Sequence, residues 1–345
     1  MKFTGKRFFQ LTLSFLLAIL FLYFAFRGVR LNDLLNALKG ANYWWVALLV
    51  PVVLLGHWAR AVRWKYIMEP IKPNCSTRNL FAGVMIGYAV NNILPRVGEL
   101  VRPYVLGNLE KISKSAALGS VVVERILDMW SFYLIACVVL LLYPSALDPF
   151  FDNPVSIRPL LYIATFAGIV VLLLLFFKVE AVFRFLGRAK AILPKRFSAK
   201  IDAILESFYS GFGIVKMKKR FGIILFWSIA IQALYALGMY EPFLAFASMA
   251  KPSLDFGAAI VLLVVSSIAW ILPAPGAIGT YHSFLTVALV KLYSIDPPTA
   301  LSYTIVTHEL GYITVMVIGF YFYLHDHVRV TEIPDSTAEN GLPSN

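Results

Sequence analysis

The sequence predicts an all-α integral membrane protein with about six transmembrane helices and two re-entrant broken-helix hairpins, arranged as two inverted repeats. Three observations predict this class. Hydrophobic residues make up 59% of the 345 positions and charged residues only 14%, whereas a soluble domain carries roughly a quarter charged residues. Apolar runs of membrane-spanning length recur along the whole chain. Two further apolar stretches are interrupted near the middle by proline and glycine, which break a helix.

Six apolar runs are long enough to cross a bilayer as helices, which takes about 20 residues. They cover about 8–26, 43–63, 115–143, 159–177, 221–247 and 298–324. The first run is too long for the apolar part of a signal peptide and is followed by no small-residue cleavage site. We therefore expect it to be retained as a helix.

The two interrupted stretches cover about 79–108 and 257–293. Their breaks have the sequences Ile-Leu-Pro-Arg-Val-Gly at 93–98 and Ile-Leu-Pro-Ala-Pro-Gly at 271–276. Each arm is roughly 12–17 residues, which is short of a full span. The pattern favours two pairs of half-helices that enter and leave the membrane on the same side.

Lysine and arginine placement predicts the orientation in the membrane. The segment 178–220 holds 11 Lys/Arg and 3 Asp/Glu, so we place it in the cytoplasm, with an amphipathic helix on the membrane surface. We expect the protein in the plasma (inner) membrane. Both termini, including the polar tail 325–345, are expected on the cytoplasmic side, and the loop 144–158 on the outer side. This positive charge faces anionic lipid, and no nucleic-acid partner is expected.

The order span, span, hairpin, span then occurs twice, in repeat 1 over 1–143 and in repeat 2 over 159–324. The second copy is upside down, because its hairpin enters from the outer face. Inverted repeats with broken helices near the midplane are typical of secondary transporters. The sequence therefore predicts a transporter.

Charged and polar residues cluster at the break of the first hairpin. Arg96, Glu99 and Arg102 would share one face of a helical arm, and Asn91 and Asn92 precede them. An arginine fork suits a phosphate, and a neighbouring carboxylate can hold the fork in an empty site. The alternative is an arginine pair at the cytoplasmic edge that touches headgroups without transport.

The third span carries three ionisable residues about ten residues from its start. Glu124 and Asp128 would share a face, and Arg125 precedes Asp128 by three residues, which predicts an internal ion pair. Charges at this depth usually line a cavity or pair with one another. Both interpretations stay open: a transport cavity, or a structural ion pair that joins two helices.

The second half offers Tyr281 and His282 after its break, and His308 with Glu309 in the last span. Histidine can carry a proton in a transport cycle, although a membrane histidine also serves as a hydrogen-bonded packing residue. We include all four residues in the candidate substrate-binding set.

A stripe of His57, Arg60 and Arg63 recurs every three residues toward the inner end of the second span. We interpret this stripe mainly as lipid-headgroup contact. The chain has no nucleophile–base set, Walker loop, dinucleotide fingerprint or metal-ligand spacing. We therefore expect no catalytic residue, cofactor or metal. The rival functions are a membrane-embedded lipid transferase, with Glu124 or Asp128 as base, and a non-catalytic partner of a lipid-modifying enzyme.

Three motifs resemble the lysylphosphatidylglycerol synthase transmembrane (flippase-like) family. They are Asn-Asn-Ile-Leu-Pro-Arg-Val-Gly-Glu-Leu-Val-Arg at 91–102, Glu-Arg-Ile-Leu-Asp at 124–128 and Pro-Ala-Pro-Gly-Ala-Ile-Gly at 273–279. The chain is similar to stand-alone members, without the soluble aminoacyl-transferase domain, so lysyl transfer is not expected. The resemblance implies movement of a membrane lipid between leaflets, such as an aminoacylated phospholipid, a polyprenyl-linked sugar or a hopanoid.

Overall fold

A computed structural model describes residues 5–145, 154–177 and 218–326, with side chains over 12–145, 156–170 and 220–326. Within these ranges the chain is all-helical. Its α-helices are α1 (Gly5–Phe26), α2 (Leu31–Lys39), α3 (Tyr43–Met68), α4 (Thr77–Ile93), α5 (Gly98–Glu110), α6 (Lys114–Leu142), α7 (Pro154–Phe177), α8 (Lys218–Tyr240), α9 (Phe256–Ile271), α10 (Thr280–Tyr293) and α11 (Pro297–His325). Short 3-10 turns follow α8 and precede α10.

The fold class expected from the sequence is confirmed: the protein is an all-α integral membrane protein. Among the described residues, four helices are long and apolar enough to cross a bilayer, namely α3, α6, α8 with its 3-10 extension, and α11. Helices α1 and α2 together form a fifth candidate, bent by 82° between them. Many large apolar side chains on α1, α6 and α7 are exposed, as expected where lipid rather than water is the solvent.

Both interrupted stretches form helical hairpins, α4–α5 and α9–α10. The first hairpin packs backbone to backbone, because a Cβ added at Gly98 would overlap the carbonyl of Gly87. The two tips meet: Arg96 Nη2 donates to the carbonyl of Ile271 at 3.4 Å. The two breaks in helix therefore lie against each other.

The hairpin bases lie at opposite ends of the molecule. At the base of α4, Arg78 Nη2 is 2.7 Å from Asp326 Oδ1, just after the end of α11. Burial opposes ionisation of Asp326, but hydrogen bonds from Arg78 and His325 outweigh it and hold the pKa of Asp326 below its ordinary value. The base of the second hairpin lies near the start of α11, one helix length of about 43 Å away, where Lys251 Nζ donates to the carbonyl of Ser294.

This arrangement has the helix order expected of two inverted copies. The division at 1–143 and 159–324 and the sidedness in the membrane stay predictions. The amphipathic helix expected in the basic loop, most of the external loop and nearly all of the tail lie outside the described residues. The short amphipathic helix α2, which carries Leu34 into the core against α11, was not foreseen.

Candidate functional site

Helices α3 and α6 are joined by a buried lattice of ion pairs. Asp128 receives two short contacts of 2.5 Å, from Nη2 of Arg60 and Nη2 of Arg63. The same two guanidinium nitrogens lie 3.2 Å from Oε1 of Glu124, which is completely buried. A tyrosine hydroxyl on α8, that of Tyr235, accepts from Arg60 Nη1 at 3.2 Å. This lattice holds three helices together.

The lattice corrects our interpretation of the stripe on α3. Arg60 and Arg63 are 4% and 1% exposed, so they do not contact headgroups at a membrane edge, and His57 packs its ring 4.9 Å from Tyr88. Arg60 lies eight residues, about 12 Å, before the end of α3, where a charged side chain needs a partner. Two arginines in one span and two carboxylates in another were the available signal for this pairing.

Arg102 on α5 occupies a different position from the lattice arginines. It is 2% exposed, and its guanidinium carbon lies 3.7 Å from the ring centroid of Trp64. Its Nη2 is 2.7 Å from Glu124 Oε2, yet no nitrogen of Arg102 has a hydrogen-bond partner with acceptable geometry among the described residues. A buried guanidinium with free donors is a strong anion ligand.

The guanidinium of Arg102 borders a small, partly open cleft, whose cavity volume in this structure is about 10 Å³. The cleft is lined by Gly87, Tyr88, Asn91, Gly98, Glu99, Arg102 and Arg125. Asn91 fixes the start of α5, because its Oδ1 accepts from the N–H of Gly98 at 2.7 Å. Arg125 Nε lies 3.5 Å from Glu99 Oε1 and its Nη1 lies 3.6 Å from Asp128 Oδ2. The structure thus brings four of the sequence-predicted residues, Asn91, Glu99, Arg102 and Arg125, into the lining of this cleft.

Arg96 does not belong to the cleft, which corrects the expectation of one face shared with Glu99 and Arg102. Helix α5 begins only at Gly98, and Arg96 has a φ of 68° in the turn before it. It is exposed and bonds across to the second hairpin. Asn92 is buried in α4 and is not among the residues that line the cleft.

The charges at this site do not cancel. Four arginines (Arg60, Arg63, Arg102 and Arg125) meet three carboxylates (Glu99, Glu124 and Asp128). Asp128 has two short contacts on α3, whereas the contacts of Arg102 and Arg125 are longer or poorly aligned. One positive charge is therefore in excess, and it lies on the cleft side. The arrangement can bind one anionic group.

A second polar cluster lies beside the break of the second hairpin. His308 Nε2 is 2.8 Å from the carbonyl oxygen of Gly276, and its Nδ1 is 3.0 Å from Oε1 of Glu309. His282 Nε2 lies 3.5 Å from the same carboxylate oxygen. Tyr281 contacts the cluster through its ring, 5.1 Å from that of His308, and donates its hydroxyl to Thr307.

These residues offer three atoms of metal-ligand type within 4.8 Å of one another. The hydrogen bonds, however, do not fit a metal centre. His282 accepts from the N–H of Gly279 at Nδ1, so a neutral ring carries its proton on Nε2, the nitrogen that faces Glu309. That nitrogen is then a donor rather than a ligand.

The sequence is similar to that of a known family of membrane proteins and to individual proteins of other organisms. The family model described as "Lysylphosphatidylglycerol synthase TM region" matches residues 11–319. A UPF0104 membrane protein of Methanocaldococcus jannaschii is 23% identical over 317 residues, covering 90% of this chain and 93% of the relative. Glycosyltransferase AglD of Haloferax volcanii is 23% identical, covering 89% of this chain and 53% of AglD.

A further UPF0104 membrane protein, from Methanothermobacter thermautotrophicus, is 21% identical over 84% of this chain and 87% of the relative. No solved structure matches the chain significantly. The family match over residues 11–319 covers both hairpins and all three motifs.

Proposed function

Since the chain belongs to the family described as the lysylphosphatidylglycerol synthase TM region, we propose that it moves an amphipathic lipid with an anionic headgroup between the leaflets of the membrane. The headgroup binds in the cleft between α4, α5 and α6. Arg102 and Arg125 contact its phosphate. Asn91 holds the start of α5, and Glu99 orients the guanidinium of Arg125. The acyl or prenyl chains stay in the bilayer.

One observation carries this proposal: two donors of Arg102, Nε and Nη1, are buried without a hydrogen-bond partner among the described residues. Burying a charged group without hydrogen bonds costs free energy, and its ion pair with Glu124 recovers only part of that cost. A phosphate in the cleft would accept from these donors and offset the excess positive charge. The stacking of Arg102 on Trp64 keeps the guanidinium plane fixed, which favours a planar, two-pronged contact.

The ion pairs between α3 and α6 support the same proposal because they form a fixed frame beside the cleft. This frame holds α3, α6 and α8 together from within, and the hairpin α4–α5 meets it through Arg102, which lies against Glu124 and Trp64. Gly87 and Gly98 allow that hairpin to pack tightly without bulky side chains between its arms. Transport through broken helices between two halves is the usual mode of such folds.

The proposal is tested by reconstituting the full chain in liposomes with a fluorescent phospholipid in one leaflet, with no second substrate present. We expect the label to equilibrate across the leaflets and the mass of the lipid to stay unchanged. Empty liposomes and liposomes with heat-denatured protein provide the background rate. A labelled lipid that stays in its leaflet, at any headgroup charge, contradicts the proposal.

A second candidate function, lipid-linked glycosyl transfer, is favoured by the similarity to glycosyltransferase AglD. The matched region is 53% of AglD, so the match does not assign the transferase activity to it. In this chain the carboxylates Glu124 and Asp128 would have to act as base, but arginines occupy both. A lipid that gains mass when a nucleotide-sugar donor is added, without changing leaflet, would favour this candidate.

We also propose that the protein lies in the plasma membrane, with both termini in the cytoplasm. A lipid-modifying enzyme that supplies or consumes the transported lipid is the partner that we propose. Co-purified lipid identified by native mass spectrometry would name the substrate. A lipid without a phosphate or another anionic group would contradict the role given to Arg102.

A further inference from the structure

We propose that His308 and Glu309 form a proton-binding site that couples the second hairpin to a proton gradient, with His282 as a positioning residue. This inference rests on the proposed lipid translocation and adds its driving ion. It is carried by the hydrogen-bond pattern of the cluster and by its place in the fold.

The hydrogen bonds of His308 require one proton more than a neutral imidazole and an ionised carboxylate hold together. The two ring nitrogens of His308 face two acceptors, the carbonyl of Gly276 at 2.8 Å and the carboxylate of Glu309 at 3.0 Å. A neutral ring has one N–H and one lone pair. If Nε2–H bonds the carbonyl, the lone pair on Nδ1 would point at a carboxylate oxygen. An added proton between Nδ1 and Oε1 removes this repulsion.

His282 fixes the geometry of this pair. Its Nδ1 accepts from the N–H of Gly279 at 3.4 Å, as part of the cap that starts α10, so its Nε2–H points toward Glu309 at 3.5 Å. It therefore donates to the carboxylate in either protonation state.

The surroundings of the pair contain few other titratable groups. Tyr281 from α10 and Tyr312 from α11 face His308, with ring centroids 5.1 Å and 6.0 Å away. From α9 the neighbour is Trp270, at 6.2 Å. From the first hairpin, Arg96 reaches the break and bonds the carbonyl of Ile271.

The pair has an accessible member and a means to act on the break. Glu309 is 43% exposed, whereas His308 is 2% exposed, so the carboxylate is the accessible member of the pair and the ring is the buried one. The other nitrogen of that ring holds Gly276, whose φ of 55° forms the break of the second hairpin. Loss of the proton forces His308 to give up one of its two acceptors.

The break is also in contact with the first hairpin. A Cβ at Gly276 would lie 3.2 Å from the carbonyl of Asn92, and the neighbouring Asn91 holds the start of α5, the helix that carries Arg102. A shift at Gly276 therefore reaches the headgroup cleft through packed backbone. This contiguous path is the physical basis for coupling.

The experiment has two arms. In the first, infrared pH-difference spectra of the purified full chain follow the carboxyl and imidazole bands. We expect a coupled His–Glu titration that is lost in Glu309→Gln and in His308→Gln and is kept in Asp33→Asn, a surface carboxylate control. Absence of this titration in the wild type overturns the proton site. Zinc binding that His308→Gln abolishes also overturns it, since the nitrogens would then be metal ligands.

In the second arm, proteoliposomes carry a fluorescent anionic phospholipid and a pH dye. We expect an imposed proton gradient to speed lipid movement several-fold in the wild type and in Asp33→Asn, and to have no effect on Glu309→Gln. Lipid movement that ignores the gradient in the wild type overturns the coupling and leaves the proposed function intact. No lipid movement under any gradient, with the titration present, overturns the proposed function and the coupling while the proton site stands.

Discussion

Replacing Glu124 by Gln tests whether the buried carboxylate holds the arginines of two helices, α3 and α5. Glu124 is fully buried, with guanidinium nitrogens 3.2, 3.2 and 2.7 Å from its oxygens. The amide keeps the shape but removes the charge, which leaves Asp128 to balance Arg60, Arg63 and Arg102. Removing one partner of a buried ion pair costs about 3–5 kcal/mol. At roughly 2 °C per kcal/mol for a large chain, the unfolding temperature should fall by about 6–10 °C.

The assay is thermal unfolding of the purified protein in detergent, followed by intrinsic fluorescence. Asp33→Asn is the matched control, because its ion pair with Arg30 lies at the surface and is worth about 0–1 kcal/mol. The double variant Glu124→Gln with Arg102→Met should recover part of the loss, since it removes the arginine nearest to the missing charge. A Glu124→Gln protein as stable as the control would refute the reasoning.

Three further predictions concern topology, pH and packing. A cysteine placed at Lys251 should react with an impermeant reagent from outside and one at Lys111 should not; outside labelling of Lys111 would contradict the inverted arrangement. Acid should weaken the contact of Asp326, because a carboxyl with a lowered pKa stabilises the fold above its ordinary pKa and loses this contribution as the pH falls through the lowered value. Below about pH 4, the unfolding temperature should therefore drop more in the wild type than in Asp326→Asn, and equal drops would count against this contact. Gly98→Ala should lower the unfolding temperature by forcing α4 and α5 apart, whereas Gly119→Ala, with open space around it, should be neutral; similar effects of both would argue against tight packing in the hairpin.

The spans and hairpins followed from local signals in the sequence. Apolar length and the proline–glycine breaks predicted α3, α6 and α11 to within a few residues, except that α3 continues to Met68. They also predicted the hairpin break between Ile93 and Gly98. These features depend on residues close together in the chain. Lipid imposes the same requirement on every segment, that its backbone be hydrogen-bonded internally.

The pairing of charges could not be predicted in the same way. Arg60 and Asp128 are 68 residues apart, and no local pattern states which span meets which. The spacing of Arg96, Glu99 and Arg102 was misleading for a different reason. A helical face requires helical backbone, and the positive φ of Arg96 precedes the first turn of α5.

The two interpretations of the third span describe different halves of the same site. Asp128 and Glu124 join α6 to α3, as a structural ion pair would. Arg125 and Arg102 face the cleft, as ligands for a substrate would. All four residues were candidates from the sequence, and the contacts to α3 distinguish the two carboxylates from the two arginines beside the cleft.

The central claim is that Arg102, and not Arg96, holds the headgroup, and lipid movement in proteoliposomes tests it most directly. Arg102→Lys replaces a planar fork by a point charge. Loss of charge-assisted hydrogen bonds worth about 1.5–3 kcal/mol should slow movement of an anionic phospholipid roughly 10- to 150-fold. Arg96→Lys is the matched control, with the same chemical change at the exposed hairpin tip, and should retain most of the wild-type rate. Equal rates for both variants, or a larger loss for Arg96→Lys with each protein folded, would contradict the account.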